Sequence, residues 1–228
     1  MGKRIVSKEI KKASKARRDV NRVLMRSVFE YLHSLDNPVV MEIGAFTGMF
    51  IGKVYEAIPG AKIYAIEPLK SNIKKLRRFP NLEILEGAVS DTRGTVKMYI
   101  SDLKSRRENI DCSMHKESAK KNNAGIKGSV EVPSYTLSSV WGYFGLERVD
   151  LMSINCEGGE YHMFGDSGVF DRTNAVYIHM HTKTPFFLSP EYRRKREEIV
   201  EILRGKGFKM EGMDDLGALA HIVQFWRK

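Results

Sequence analysis

Apolar residues recur at spacings of three and four along the first part of the chain, which is the period of an α-helix. This pattern predicts a helix from about residue 6 to residue 35, with apolar positions at Val20, Leu24, Val28, Tyr31, Leu32 and Leu35. Only the second half is expected to pack on a core, because the first half is much more polar. The helix is expected to end before Pro38, since proline disfavours helical geometry in the residue before it.

Short apolar runs then alternate with amphipathic segments, which predicts strands that alternate with helices. The predicted strands cover residues 39–43, 62–66, 82–85, 95–100, 130–132, 149–154, 175–179, 208–210 and 218–225. The predicted helices cover 47–57, 69–78 and 137–144, with a short one after Gly158 and another from Ser189-Pro190. Strand-helix repeats at this spacing favour a parallel sheet with right-handed crossovers. We therefore expect an α/β fold, a doubly wound and mostly parallel sheet with a C-terminal antiparallel hairpin.

The segment 102–128 is polar, rich in Lys, Ser and Asn, and without a clear period. Insertions of this length are lids, binding loops or disordered segments, and the sequence leaves lid and ordinary loop open. The predicted organisation is a basic helical extension over residues 1–36 and a domain over residues 37–228. The insertion at about 102–128 is expected to be mobile.

The 228-residue chain carries a formal net charge of +10, most of which lies near the N-terminus. Residues 1–26 contain ten Lys and Arg against Glu9 and Asp19, which gives this arm a charge of +8. Such an arm attracts polyanions such as RNA, phosphorylated substrates or anionic lipid, although a solvated helix face has the same pattern. A nucleic acid is therefore a candidate partner through residues 1–26.

The pattern of apolar residues shows no sign of membrane insertion or secretion. No stretch approaches the about 18 consecutive apolar residues of a membrane span, and the basic N-terminus lacks the apolar core of a secretory signal. The cysteines, Cys112 and Cys156, lack the spacing of a zinc or redox site. We therefore expect a cytoplasmic protein with no transmembrane segment.

A glycine turn after the first predicted strand carries the strongest chemical signal. Gly44 allows a sharp turn beside a ligand, and Gly48 lets the next helix pack closely against the strand. Phe46 replaces the glycine that a dinucleotide pyrophosphate needs, which disfavours a nicotinamide cofactor. Glu67 ends the second strand, where a carboxylate can accept both hydroxyls of a ribose. Glu42 could meet an ammonium group, so the pattern favours S-adenosylmethionine over strand-end carboxylates without a ligand.

With these segments the chain resembles the FkbM-type methyltransferases, S-adenosylmethionine-dependent enzymes with a Rossmann-like fold. The resemblance covers roughly residues 38–182 and rests on 42–45 with Gly48, on 66–68, on 88–91 with Gly94, on 132–137 and on 149–160. It implies a class I methyltransferase domain that uses S-adenosyl-L-methionine. The residues expected to bind the cofactor are Glu42, Gly44, Ala45, Gly48, Glu67, Ala88 and Asn155.

Three positions depart from the usual pattern of that family. Asn155 stands where an aspartate is usual, Ser153 where a lysine is usual, and Thr47 where an asparagine is common in the glycine turn. Asparagine can form hydrogen bonds but cannot act as a base. An acid-base role at position 155 is therefore not expected, whereas cofactor binding should survive.

Methyl transfer to a hydroxyl requires alignment with the donor and is helped by a base within hydrogen-bond reach. The carboxyl ends of the predicted strands bring Asn155, Glu157, His179 and His181 together, and we expect His179, His181 and Glu157 to be catalytic. The histidines could instead be ordinary strand-end residues, and Glu157 and Glu160 could cap the helix that follows. A divalent metal on Asn155, Glu157, His179 and His181 is a weaker alternative, and we expect none.

The sequence therefore predicts an S-adenosylmethionine-dependent methyltransferase that O-methylates a hydroxyl on a small molecule or glycan. One alternative is an RNA methyltransferase that uses the basic arm. Another is a non-catalytic binding protein on a methyltransferase fold, because Asn155 replaces an acidic residue. The identity of the acceptor and the oligomeric state stay open, since substrate specificity depends on loops rather than on the fold.

Overall fold

The computed structural model describes residues 22–102, 112–119, 125–181, 186–211 and 222–227. The first helix, α1 (22–33), buries Leu24, Val28 and Leu32, as its apolar spacing predicted. Tyr31 also packs edge-on against Trp226, with ring centroids 5.0 Å apart. The start of the predicted helix and most of the basic arm lie outside the described residues.

The strands and helices of the domain follow the predicted alternation closely. The strands that form the large sheet are β1 (Val39–Ile43), β2 (Lys62–Glu67), β3 (Glu83–Glu86), β8 (Val149–Ile154), β9 (Thr173–His179), β10 (Phe208–Glu211) and β11 (Ile222–Arg227). The helices are α2 (Met49–Ala57), α3 (Lys70–Leu76), α4 (Lys116–Ala119), α5 (Leu137–Phe144) and α6 (Pro190–Gly205). Two 3₁₀ turns, Gly159–His162 and Ser167–Arg172, precede β9.

The large sheet has seven strands in the order β10-β11-β9-β8-β1-β2-β3. Neighbours from β3 to β9 pair in parallel, whereas β11 is antiparallel to both β9 and β10. The mostly parallel sheet and the C-terminal antiparallel hairpin of the sequence prediction are confirmed. Residues 218–221, the predicted start of the last strand, lie outside the described residues.

A second, four-stranded sheet was not predicted as a unit. It consists of β4 (Ala88–Val89), β5 (Gly94–Ser101), β6 (Cys112–Ser113) and β7 (Ile126–Tyr135), in the order β4-β7-β5-β6. Within the predicted insertion 102–128, residues 112–119 form β6 and α4, and β7 begins at Ile126 rather than at residue 130. These parts of the insertion belong to regular structure, whereas its mobility and the domain boundaries stay predictions.

Helices cover both faces of the large sheet, so that successive side chains of the central strands enter different cores. In β1, Val40 packs with α1, α2 and α3 on one face. The next residue, Met41, packs with α5, α6 and the 3₁₀ turns on the other face. Leu151 and Met152 of β8 repeat this alternation. Both cores are apolar, which explains why the central strands read as nearly continuous apolar runs.

The crossovers leave the sheet in opposite directions on either side of β1 and β8. From β1 the chain proceeds to β2 and β3, whereas β8 proceeds to β9 on the far side. Such a divergence opens a crevice at the carboxyl ends of the two strands. This edge carries the residues that the sequence analysis selected. Among the described residues, no helix combines the length and the apolar character needed to cross a membrane.

The opposite edge of the sheet depends on Asp150, which is 4% exposed. Its carboxylate accepts hydrogen bonds from the Val39 amide at 2.8 Å and the Asn174 side chain at 3.0 Å, so it links β1, β8 and β9.

Asp150→Ala leaves these donors unsatisfied and should lower the free energy of unfolding by about 1–3 kcal/mol in urea titrations. Asp171→Ala is the control, because its ion pair with Lys206 is exposed and should contribute less than about 1 kcal/mol. Equal losses of stability in both variants would contradict the role of Asp150 in linking the three strands.

Candidate active site

The turn after β1 is packed tightly between the ends of two neighbouring strands. The amides of Gly44 and Ala45 both donate to the Ile66 carbonyl of β2, at 2.9 and 3.1 Å. Gly44 has φ +84, and a Cβ at this position would collide with the carbonyl oxygen of Asn155 after β8. Two independent constraints therefore require glycine at position 44: the left-handed backbone conformation and the close approach of the Asn155 carbonyl.

Glu67 is 3% exposed and holds the turn in place. One of its carboxylate oxygens accepts from the Phe46 amide at 2.8 Å, and the other accepts from the Leu69 amide at 3.1 Å and the Asn72 side chain at 3.0 Å. Phe46 has φ 52, an unfavourable backbone conformation for a side chain of this size. Glu67 thus shapes the turn that the sequence assigned to the cofactor, and its contact with a ribose stays a prediction.

Gly48 has a different neighbour from the one expected. Its φ is +79, and an added Cβ would collide with the ring of Phe79 and crowd Leu76. The sequence analysis expected Gly48 to let α2 pack closely against its preceding strand. Ile51 and Val54 of α2 do pack with Val40 of β1, but the tight contact at Gly48 itself is with the end of α3. Arg78 strengthens this junction, since its guanidinium donates to the Thr47 carbonyl at 2.8 Å. The turn is therefore braced from both sides.

Glu42 lies below this turn and is 5% exposed. Burial raises the pKa of its carboxyl group well above the usual value, the negative charge of Glu67 raises it further, and the Ile51 amide acts in the opposite direction. Its Oε2 atom has no hydrogen-bond partner within the described part of the chain. The raised pKa shows that no positive charge of the described residues compensates this carboxylate. Its contact with an ammonium group stays a prediction.

Ala88 lies in β4 next to the end of β3 and is buried. The residue before it, Gly87, is a feature that the sequence analysis did not select. Gly87 donates to the Glu67 carbonyl at 3.1 Å, and an added Cβ would lie 2.6 Å from the ring of Tyr135 and 2.7 Å from the Pro133 carbonyl. The small residues here let the second sheet approach the end of β2. Contact of Ala88 with an adenine ring stays a prediction.

The turn after β8 meets the turn after β1 directly. The Asn155 amide donates to the Ile43 carbonyl at 2.9 Å, and the Asn155 side chain is exposed at the crevice. Glu157 follows with φ 54 and Gly158 with φ 99, so the chain turns sharply and points the Glu157 side chain back toward the sheet edge. Asn155 and the Gly44 turn are therefore neighbours, as the predicted cofactor site requires.

His181 lies between two carboxylates at the end of β9. Its Nδ1 lies 3.0 Å from Glu160 Oε1, and its Nε2 lies 3.1 Å from Glu157 Oε2. Glu160 is fully buried and also accepts from the His181 amide at 2.7 Å and from the Gly158 amide at 2.9 Å. Burial tends to raise the pKa of Glu160, but the charge and hydrogen bonds of His181 outweigh it, so this pKa lies below its usual value.

This arrangement bears on the positions that the sequence analysis considered for Glu160 and the two histidines. Glu160 lies within the 3₁₀ turn Gly159–His162 rather than before it, and its carboxylate orients the imidazole ring of His181. His179 and His181 point to the same side, with stacked rings whose centroids are 4.6 Å apart. Within the described ranges, no group of three or more His, Cys, Asp and Glu side chains is arranged to hold a metal ion. The catalytic roles of His179, His181 and Glu157 stay predictions.

A cluster of aromatic rings beside the Glu157 turn was missed by the sequence analysis. His115 of the insertion lies with its Nε2 3.2 Å from His162 Nε2, and its ring packs against Phe186, Phe187 and Tyr192. Burial lowers the pKa of His115, and burial together with the charges of Lys195 and His115 lowers the pKa of His162 to about 4. Only the fold brings these positions together, since they come from separate segments with no shared motif.

Comparison with known domain families identifies the chain as a methyltransferase. A model of the Methyltransferase FkbM domain matches residues 42–210. The match covers most of the chain, and the protein therefore belongs to the FkbM methyltransferase family, whose members use S-adenosylmethionine. No curated protein matches this chain.

Solved methyltransferase structures resemble the chain only distantly in sequence. Precorrin-6y C5,15-methyltransferase from Geobacter metallireducens is 14% identical, with a TM-score of 0.45 and coverage of 89% of this chain and 87% of that one. An rRNA methylase from Streptococcus thermophilus is 12% identical, with a TM-score of 0.46 and coverage of 89% and 95%. The plantazolicin methyltransferase BpumL in complex with SAH is 9% identical, with a TM-score of 0.45 and coverage of 97% and 90%. The family assignment rests on the domain match and not on these structures.

Gly44→Ala should weaken binding of S-adenosylhomocysteine by at least about tenfold in isothermal titration calorimetry, equivalent to about 1.4 kcal/mol. The added methyl collides with Asn155 and displaces the turn. Gly207→Ala is a matched control: Gly207 also has φ +84, but nothing lies within 4 Å of its added Cβ. This control should lose about 1–2 kcal/mol of stability from backbone strain and keep its affinity. Equal affinity of the two variants would contradict the assigned site.

Glu42→Gln should stabilise the free protein at alkaline pH. Because the folded pKa is raised, the native state binds more protons than the unfolded state above the usual value of 4.5, so wild-type stability falls as pH rises through this range. Glutamine cannot ionise and removes this loss. In urea unfolding from pH 4.5 to pH 8, the free energy of unfolding of the variant should exceed that of wild type by an amount that grows with pH.

The control for this measurement is Glu30→Gln on α1, whose side chain is 62% exposed and pairs with Arg26. It should change stability by less than about 1 kcal/mol. If the difference in free energy of unfolding between Glu42→Gln and wild type is constant across the pH range, ionisation of Glu42 does not destabilise the folded protein.

Proposed function

We propose that the protein transfers the methyl group of S-adenosylmethionine to a hydroxyl oxygen of a small molecule or glycan. The observation that carries this proposal is the Glu160–His181–Glu157 arrangement, which lies beside the glycine turn of the donor site. Alignment alone suffices for a strongly nucleophilic acceptor, but a hydroxyl must lose a proton as it reacts. A proton acceptor within reach of the donor therefore favours hydroxyl chemistry.

The donor is proposed to lie across the carboxyl ends of β2, β1 and β8. The main chain of Gly44 and Ala45, the side chain of Asn155 and the small Ala88 would contact it, and Glu42 would face its ammonium group. Support comes from the close approach of Gly44 to Asn155 and from the unsatisfied, buried oxygen of Glu42. Glu67 would act mainly by shaping the turn, and its carboxylate would also accept from the ribose hydroxyls.

In the transfer step, the acceptor oxygen attacks the methyl carbon, so a C–O bond forms as the C–S bond breaks. The electron pair of the C–S bond stays on sulfur, and S-adenosylhomocysteine leaves. The hydroxyl proton passes to Nε2 of His181, which lies 3.1 Å from Glu157 Oε2, so this carboxylate can accept a hydrogen bond from the protonated ring. Ionised Glu160 at Nδ1 stabilises the positive charge that the ring gains.

The exposure of this pair favours a protruding acceptor group. The Glu157 side chain is 23% exposed and that of His181 is 8% exposed. A slender group such as a hydroxyl on a sugar or small molecule suits a position with so little exposed surface. His179, stacked on His181, would screen the ring from water on one side.

The test is transfer of tritiated methyl from S-adenosylmethionine to a panel of glycans and small hydroxylated compounds, with the product identified as a methyl ether. His181→Asn and, separately, Glu157→Gln should each lower kcat by about 10²–10⁴-fold. Their affinities for S-adenosylhomocysteine should stay within about twofold of wild type, because neither side chain holds the donor.

His33→Asn on α1 is the matched control, since it removes an exposed histidine remote from the sheet edge. It should keep wild-type kcat. Transfer of label to nitrogen or carbon, or undiminished kcat in both Glu157→Gln and His181→Asn, would refute the proposed chemistry. Binding of S-adenosylhomocysteine without transfer to any compound of the panel would favour a binding protein on this fold.

A further inference from the structure

Glu157 has a backbone conformation that its own sequence does not favour. Its φ of 54 lies in the left-handed region, which side chains other than glycine, asparagine and aspartate rarely adopt. Surrounding contacts must therefore hold this residue in place. If Glu157 relaxed to an ordinary conformation, its carboxylate would turn away from His181.

Two serines from the insertion supply such contacts. Ser113 Oγ donates to the Glu157 carbonyl at 2.6 Å, and Ser118 Oγ donates to the same oxygen at 3.0 Å. Both serines are 1% exposed. A carbonyl oxygen has two acceptor directions, and these hydroxyls occupy both. The His115 amide in turn donates to Ser113 Oγ at 3.0 Å, so the hydroxyl is itself oriented.

The Glu157–Gly158 peptide is also held from the other side. The Gly158 amide donates to Glu160 Oε2 at 2.9 Å, while the other oxygen of Glu160 contacts His181. An added Cβ on Gly158 would collide with the ring of Phe187 and lie 3.0 Å from the His115 ring. The carbonyl and the amide of one peptide are thus bound by two elements, the insertion and the 3₁₀ turn.

We propose that Ser113 and Ser118 are positioning residues of the transfer reaction: they hold the Glu157 peptide so that the Glu157 carboxylate faces His181. This inference rests on the proposed function, in which the Glu157–His181 pair takes the acceptor proton. It gives the insertion between β5 and β7 a catalytic task. The two hydroxyls act through Glu157 and touch neither donor nor acceptor.

A purely structural role would make a different prediction. If the serines only fastened the insertion to the domain, their loss would lower stability and leave the Glu157–His181 contact intact. A readout at the His181 ring separates the two roles. The Nε2 resonance of His181 provides it at a single pH, in protein labelled with ¹⁵N-histidine, and needs no acceptor.

The experiment compares Ser118→Ala and Ser113→Ala/Ser118→Ala with wild type at pH 7, and takes Glu157→Gln as the reference for loss of the contact. The double variant should move the His181 Nε2 resonance toward its position in Glu157→Gln. Ser118→Ala, which removes only the longer bond, should move it partway and serves if the double variant does not fold. In the transfer assay, kcat should fall by about tenfold or more in the double variant while the KM for S-adenosylmethionine is unchanged.

Thr173→Val is the matched control, because Thr173 is fully buried and its hydroxyl donates to the Val169 carbonyl at 3.0 Å, at the opposite end of β9. It loses a bond of the same kind and length and should leave the resonance and kcat unchanged. A wild-type resonance in both serine variants would overturn the positioning role, whatever their stability. If the resonance moves but wild-type protein methylates no hydroxyl, the proposed function fails while the positioning geometry holds.

Discussion

The junction between β1 and β8 is the constraint on which the rest of the structure depends. These two strands are neighbours in the sheet although more than half of the described chain separates them, and the Asn155 amide continues their pairing by donating to the Ile43 carbonyl at 2.9 Å. The close approach excludes any side chain at Gly44. Because the crossovers diverge at this junction, the Gly44 turn and the Glu157 turn share one crevice. The packing of β1 against β8 thus positions both the proposed donor site and the proposed base.

Buried charge at this edge is organised into two separate units. Glu42 and Glu67 lie in the donor half, where burial and mutual repulsion raise the pKa of Glu42 and hydrogen bonds satisfy Glu67. Glu157, His181 and Glu160 lie in the other half, where the histidine compensates a carboxylate with no exposed surface. The Glu42–Glu67 half has no compensating positive charge among the described residues. This suits the proposed cationic donor, because its sulfonium and ammonium groups would supply that charge.

Much of the fold was predictable because local patterns and burial agree. The apolar runs at β1, β2 and β8 lie between two helical layers, and the glycine turn and Glu67 follow them at the expected strand ends. The second sheet and the aromatic cluster around His115 were not predictable in this way. The aromatic cluster joins segments far apart in the chain, and the second sheet includes two-residue strands, β4 and β6, which are too short to show a periodicity. The contact of Gly48 with Phe79 was not predictable for a similar reason, since it depends on how the segment after α3 packs against α2.

The amino-acid sequence by itself determined the class of the protein: a parallel α/β sheet, a glycine turn with two strand-end carboxylates, and the 149–160 segment of the FkbM methyltransferases. These are local signals, set by residue type and spacing, so they survive without knowledge of the fold. Only the tertiary structure decided that Glu160 orients His181, that Glu67 builds the turn, and that two serines of a polar insertion hold Glu157. Each of these is a contact between distant segments, and hydrogen-bond geometry at 3 Å depends on packing that no linear pattern encodes.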